Sequence, residues 1–521
     1  MSNQKISSFV FFKNTFKSLS LTCILVFSFI LVACDDVNIT DKNRITPQSF
    51  FRDATDAEAA LVGTYGPLTV IMGWGRMMGA ILTIHRGDIV DTNPQPNVYD
   101  PGTFVVNSGD ARVNEGWQTL WRIVQRANNV LENAPGIDMN ENRKAEMLGE
   151  ARFLRGLAYF YLVNMWGNIP LITDAVSSPD QLEVGQVPPE EVWAQIITDF
   201  TEAQEVLPQT WPDSDIGRAT WGAATAMLGK SYLFNEDWTN ASSEFKKILN
   251  SGLYELVDDY QFNFLREGSN NAESIFELQY ESTPNGNWGP SGTQSPLRGQ
   301  AWEPDVAPPG FTSQQSVTIN KWVFDLFMKE KTVVGEIDPR AFATILWDYP
   351  GAKVYQQDFN EALSEEDQNK VFVRKYLNFY RETSLVPGSW GESNNNYRMI
   401  RFADVLLMFA EAENEASGST QEVLNAINRV RARANMPSIE DGLSKSEMRE
   451  KIRDERVLEL AIEGHRHLDL KRWGIMADRF INNPQFREAA GQNFERGKDE
   501  LLPIPRQDID SNPMLEQNPG F

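Results

Sequence analysis

The chain predicts a mostly α-helical protein: an irregular scaffold of antiparallel helix pairs, interrupted by a loop-rich insertion with a few short strands. Two observations carry that expectation. Apolar residues recur at helical spacing in stretches of one to two dozen residues, joined by short breaks that often hold Gly or Pro. Between about residues 271 and 396 the grammar changes. Ser274–Tyr280 reads as a short strand, and Pro, Gly, Asn and Ser then dominate from Pro284 through Pro309. An irregular stretch of that length inside a compact protein is either a functional loop or disorder.

The first 33 residues read as a secretion signal. Lys5, Lys13 and Lys17 make a positive start with no acidic residue before Asp35, and Leu19–Val32 is apolar apart from small polar residues. That run is short for a bilayer core of about 30 Å. Leu31-Val32-Ala33-Cys34 then ends it in the residue that a bacterium lipidates, so the mature chain is expected to begin at Cys34 with acyl groups on its thiol and its new amine. Two or three chains, at roughly 0.8 kcal/mol per buried methylene, hold a protein at a membrane where one does not. Cys23 departs with the signal, which leaves Cys34 no disulfide partner. Residues 34–46 are polar and unpatterned, a tether reaching roughly 20 Å.

A single domain over 47–521 is expected to follow, with its helical scaffold in 47–270 and 397–475, the insertion in 271–396 and an extended return in 476–521. Thr55 and Asp56 are candidate caps ahead of Ala59, Ala60, Val62 and Tyr65. Trp117, Leu120, Trp121, Ile123, Val124, Ala127 and Leu131 form a second apolar face that Pro135 and Gly136 end, and a third helix runs from about Lys144 to Trp166 before Gly167. Further helices are predicted at 189–207, 218–235 and 238–250. Residues 218–250 resemble a degenerate tetratricopeptide unit. Small residues such as Ala223, Ala224 and Gly229 let two helices approach, and Trp238, Phe245 and Ile248 fill the groove. Helical patterning resumes at Arg398–Ala416, Thr420–Ala434 and Ser444–Glu463, and the tail from Leu501 is rich in proline.

Composition narrows the function. Hydrophobic residues make up 41% of the chain, enough for a large core, and the net charge is −24, becoming about −27 once the signal lysines are removed. Such a surface repels phosphates, which excludes nucleic acid as a partner. The densest charged block joins Arg453, Glu455, Arg456, Glu459 and Glu463 to His465, Arg466, His467, Asp469, Lys471 and Arg472. The three glutamates fall four apart on one helix face, interleaved with arginines that pair with them. His465 and His467 diverge on a helix, and no H-E-x-x-H motif is present, so an ion-paired structural corner is expected rather than a metal site. His85 is the only other imidazole. No nucleophile elbow, phosphate loop or dinucleotide fingerprint occurs, and no local signature singles out a carboxylate pair for glycoside hydrolysis. The reading is a binding protein without catalytic residues, cofactor or metal.

Four separated blocks then point to one family. Ala151–Leu171 (ARFLRGLAYFYLVNMWGNIPL), Arg398–Asn414 (RMIRFADVLLMFAEAEN) with Ala426–Arg433 (AINRVRAR), the charged block Asp454–Trp473, and the ending Leu502–Pro505 through Asn512 and Pro513 to Gln517–Phe521 resemble the SusD/RagB family of nutrient-binding outer-membrane lipoproteins. The blocks fall in the family's order over nearly the whole mature chain. The resemblance implies a helical scaffold with tetratricopeptide-like pairs and loops that bind carbohydrate or peptide. It also implies a SusC-like TonB-dependent transporter as partner, over which the lipoprotein sits as a lid on the outer face of the outer membrane. Ligand residues lie in the family's variable loops and do not transfer one by one. Independently of the family, Trp74, Tyr99, Trp288 and Trp302 sit in segments rich in Gly, Pro and Asn, where an aromatic face suits a sugar ring, and Asn285, Asn287 and Arg298 would supply hydrogen bonds to hydroxyls. The rival readings are a peptide-capturing RagB-like protein and a surface glycoside hydrolase.

Overall fold

The first scaffold helix, α1 (Ala54–Thr69), starts where the Asp53 carboxylate accepts hydrogen bonds from the amides of Thr55 and Asp56. The cap therefore lies ahead of the two residues expected to serve, because a capping oxygen reaches forward to amides two and three residues on, inside the first turn. Asp110 caps α2 (Ala111–Asn133) and Asn140 caps α3 (Glu141–Trp166) in the same way. Gly167, at φ +74°, ends α3 where the sequence placed the stop. The scaffold continues through α4 (Pro189–Val206), α5 (Trp221–Phe234) and α6 (Trp238–Leu249). The insertion contributes α7 (Lys321–Lys329) and α8 (Pro339–Thr344). After it come α9 (Phe402–Ser417), α10 (Gln421–Arg433), α11 (Lys445–Leu460) and α12 (Arg466–Arg472). This computed structural model describes residues 50–92, 100–280, 299–311, 317–377, 393–483, 486 and 490–521.

Each helix from α1 to α6 packs on the next, α6 packs on α9, and α9 is covered in turn by α10 and α11. Every residue of α3 from Phe153 to Trp166 is buried, which makes it the central rod of the scaffold. The α5–α6 pair shows why the tetratricopeptide-like pattern alternates small and large residues. A Cβ on Gly229 would lie 2.7 Å from the ring of Phe245, so only glycine admits that approach.

Two expectations are corrected. Helical patterning was expected from Arg398, yet Tyr397–Arg401 is a strand and α9 begins at Phe402. The strand pairs antiparallel with Ser274–Leu278, the predicted strand, and that pairing satisfies backbone groups which a helix start would have left open. The C-terminal return is also not wholly extended, since it carries short helices at Met476–Ile481, Ala490–Asn493 and Arg506–Ser511. Its Leu502–Pro505 stretch docks along the end of α3, where the amide of Leu502 donates to the Met165 carbonyl at 2.8 Å and Trp166 Nε1 donates to the Pro503 carbonyl at 3.0 Å. The insertion supplies three of the four two-residue strands of a small antiparallel sheet, in the order Val90–Asp91 from the scaffold, then Thr318–Ile319, Phe372–Val373 and Ile345–Leu346.

The charged corner is an ion-paired hub, as its spacing suggested. Glu455, Glu459 and Glu463 are buried and face basic groups delivered from four separate segments. Arg340 of α8 reaches Glu455 at 2.6 Å and Glu459 at 3.1 Å. Arg401, from the new strand, reaches Glu459 at 2.5 Å, Glu463 at 2.7 Å and Glu273 at 3.1 Å. Arg433 of α10 bridges Glu273 and Glu459, Arg431 meets Glu455 at 2.9 Å, and Lys375 meets Glu463 at 2.9 Å. Burial alone would raise the Glu459 carboxyl, but Arg433, Arg401 and Arg340 outweigh it and hold it ionised well below the usual carboxylate range. The same balance pulls Asp469 down to about 2, through Arg456 and Arg472.

His465 and His467 do not converge. His465 lies between Lys230, whose Nζ is 3.4 Å from Nδ1, and Asp404, whereas His467 is flanked by Arg86 and Lys471. Among the described residues no cluster of His, Cys, Asp or Glu is arranged to hold a metal ion.

Removing one member of such a buried network leaves its partners charged and unpaired, at a cost of about 3–5 kcal/mol. Glu459→Gln is therefore expected to lower unfolding free energy by that amount in urea titrations. Burial pushes His465 down to about 4 against the pull of Asp404, while an unfolded histidine titrates near 6.5. As pH falls through that interval the unfolded chain takes up a proton that the folded chain refuses, so stability drops by about 1.4 kcal/mol per unit from this group. The loss of stability between pH 7 and pH 5 should accordingly be smaller in His465→Gln than in the wild type, as read by urea midpoints.

Candidate functional site

A cleft of about 380 Å³ opens on the insertion side of the hub, edged by Gln261, Glu267, Gln356 and Arg374 and walled by Phe264 and Tyr376. Gln261 and Phe264 come from a one-turn helix, Tyr260–Phe264, started by the Asp259 carboxylate. Arg374 and Tyr376 follow the strand Phe372–Val373, and Gln356 sits in the turn between the paired segments Lys353–Val354 and Gln357–Asp358.

The walls are braced from behind. Phe264 packs edge-on against Tyr260 with centroids 5.0 Å apart and against Tyr376 at 5.2 Å. Lys375 Nζ lies 4.3 Å from the Phe264 centroid, donates to Tyr260 Oη at 2.6 Å and reaches Glu463 at 2.9 Å. The cleft wall is thus tied to the ionic hub through one lysine. Burial lowers that lysine to about 8, with Glu463 opposing the shift, so it remains largely charged at neutral pH. Tyr260 Oη completes the tie by donating to the Glu459 carbonyl at 2.6 Å.

Three of the eight non-glycine residues with positive φ among the described residues lie at the same place. Tyr355 and Gln356 have φ of +46° and +71°, and Tyr376 has +65°, in the left-handed region that non-glycine residues rarely occupy. Such conformations persist only where surrounding structure holds them, and they cluster at binding and switch sites. Here the buried Tyr355 ring stacks on Phe311 at 5.3 Å and its hydroxyl bonds Glu303 at 2.5 Å, which aims Gln356 at the cleft.

The sequence-nominated aromatics fall elsewhere. Trp74 and Trp302 are each 1% exposed and belong to the main core. Trp74 packs edge-on against Tyr161 at 4.6 Å, and Trp302 against Tyr376 and Tyr397, both at 5.1 Å. Neither offers a face to a ligand, which corrects the expectation for these two. Their Gly-rich surroundings serve close packing: a Cβ on Gly79 would lie 2.8 Å from the Trp302 ring. Trp302 nevertheless backs the cleft by supporting Tyr376. Cys34, Tyr99, Asn285, Asn287, Trp288 and Arg298 lie outside the described residues. Sequence reasoning missed Gln261, Phe264, Arg374 and Tyr376. Their only signal is aromatics alternating with polar residues in Tyr260–Phe264 and Arg374–Tyr376, a pattern also common in packed cores.

The helical scaffold of tetratricopeptide-like pairs thus carries a cleft with a polar edge over a buried aromatic floor. Comparisons with known proteins place it further. A family model described as the SusD family matches residues 272–521, and one described as starch-binding and associating with the outer membrane matches residues 92–233. SusD-like protein P2 of Formosa agariphila is 29% identical over 94% of this chain and 97% of its own length. The crystal structure of a SusD superfamily protein from Bacteroides vulgatus superposes with a TM-score of 0.79 at 28% identity, covering 91% of this chain and all of that one. A laminarin-binding SusD-like protein superposes at 0.71 with 27% identity, covering 90% of this chain and all of its own. The chain belongs to the SusD/RagB family.

The buried walls and the open edge of the cleft should separate in mutagenesis. Phe264→Ala empties packed volume and is expected to cost about 3–5 kcal/mol in unfolding free energy. Arg374→Ala, at a half-buried position, should cost less than half as much by the same titration, which makes it the variant for probing binding.

Proposed function

We propose that this protein captures an oligosaccharide or polysaccharide at the cell surface and delivers it to a SusC-like TonB-dependent transporter, whose mouth it covers as a lid. The observation that carries the reading is the cleft itself: a polar edge of amide, guanidinium and carboxylate groups from Gln261, Gln356, Arg374 and Glu267, set on a buried aromatic floor stiffened by the hub. Planar amide, guanidinium and carboxylate side chains pair with the hydroxyls of a pyranose, while Phe264 and Tyr376, 3% and 2% exposed, form the floor that holds them in place. The laminarin-binding relative and the starch-binding description of the matched family model support carbohydrate as the ligand class. Tyr99, Trp288, Asn285, Asn287 and Arg298 remain proposed ligand contacts.

Residues 1–33 act in this reading as the signal peptide, Cys34 carries the lipid, and residues 34–46 tether the domain to the outer membrane. Among the described residues, which begin at Phe50, no helix is long and apolar enough to cross a membrane. Binding proceeds without chemistry, so the glycan should leave the protein unchanged.

A glycan array run beside a peptide library tests the ligand class. Retention of carbohydrate, weakened about tenfold by Gln261→Ala or Arg374→Ala, is the expected outcome, one lost polar contact corresponding to roughly 1–1.5 kcal/mol. Peptide retention would replace it with the RagB-like reading, and release of shorter sugars would replace it with a hydrolase. Cys34→Ala should abolish membrane retention in fractionated cells while leaving ligand affinity of the purified protein unchanged. Detergent extracts of the lipidated protein should retain a large barrel protein, and repeated purification without one would overturn the transporter assignment.

A further inference from the structure

A second cleft, of about 360 Å³, lies beside the first and is lined by Asp348, Tyr349, Gly351, Asp358, Phe359 and Asn360. The Tyr349 ring is half-buried and rigidly placed, edge-on to Phe342 at 5.1 Å and tilted against Trp347 at 4.7 Å. Its hydroxyl accepts a hydrogen bond from Arg374 Nη1 at 2.9 Å, and Arg374 also edges the first cleft. A second link is the turn at 353–358, which places Gln356 on the first cleft and Asp358 on the second.

The polar lining of the two clefts differs. Asp348 and Asp358 are exposed; Asp358 stands across the hairpin from Lys353, and among the described residues neither carboxylate lies within ion-pair distance of a basic group. Asn360 orders them both, donating from its amide to Asp358 Oδ1 at 3.1 Å and from Nδ2 to Asp348 Oδ1 at 3.3 Å. Each carboxylate keeps acceptor capacity for further donors. Free carboxylates beside an aromatic ring accept hydrogen bonds from hydroxyls and repel sulfate and carboxylate groups. We infer that this cleft is a second sugar subsite, taking an uncharged, hydroxyl-rich pyranose of the same glycan chain that occupies the first cleft. The inference rests on the glycan reading above, and it requires a ligand long enough to pass Arg374.

Calorimetric titration of laminaribiose and laminarihexaose into the wild type, Tyr349→Ala and Tyr349→Phe tests it. The wild type should bind the hexasaccharide about tenfold more tightly than the disaccharide, the increment expected of one aromatic platform. Tyr349→Ala should reduce hexasaccharide affinity to the disaccharide level and leave disaccharide affinity unchanged. Tyr349→Phe, which keeps the ring, should keep the length advantage. A length advantage that survives in Tyr349→Ala overturns the subsite alone, as does an equal loss for both sugars, which would mean that Tyr349 acts only through Arg374. A wild type that binds neither sugar overturns the subsite as stated for a neutral glucan, whereas the glycan reading falls only if the array retains no carbohydrate.

Discussion

Arg401 is the residue on which most of this structure converges. It is fully buried, its guanidinium meets three carboxylates from two distant parts of the chain, and one of its amines donates to the Glu459 carbonyl at 2.8 Å. A cation in that position is tolerable only because Glu273, Glu459 and Glu463 surround it, and those carboxylates are tolerable only because Arg433, Arg340 and Lys375 complete the set. The interdependence explains why a short strand, the insertion and the last scaffold helices share one geometry. None of their charged groups can leave the hub without stranding another.

The candidate site inherits its rigidity from that hub. Lys375 spans the gap, with its ammonium on Glu463 and against the Phe264 ring, so the cleft wall is fixed by an ion pair rather than by apolar packing alone. The strained turn at Tyr355 and Gln356 and the strained Tyr376 backbone also border the cleft, held by stacking of Tyr355 on Phe311 and edge-on packing of Tyr376 against Trp302. A preformed polar and aromatic surface loses little conformational freedom when a ligand arrives, which suits capture of a flexible glycan.

How far the sequence was legible depended on whether a signal was local. Helix periodicity, the Gly167 stop and the small-to-large alternation around Gly229 and Phe245 all act within one or two turns, and each appears in the structure where it was expected. The glutamate spacing at 455, 459 and 463 announced an ion-paired helix face for the same reason. Trp74 and Trp302 were misplaced because composition around a tryptophan does not distinguish a loop from a tight turn packed into the core. Arg398 and Arg401 were assigned to a helix because α9 follows at once, and only pairing with Ser274–Leu278 reveals the strand.

By itself the sequence determined the helical class, the extents of most scaffold helices, the ionic character of the Asp454–Trp473 block and the family resemblance, because all of these reside in short-range pattern. The tertiary structure alone decided which arginine meets which glutamate, that two nominated tryptophans are core, and that Gln261, Arg374 and Tyr349 border two adjoining clefts. Those residues lie tens to more than a hundred positions apart in the chain, and no local periodicity records a distance that exists only once the chain has closed on itself.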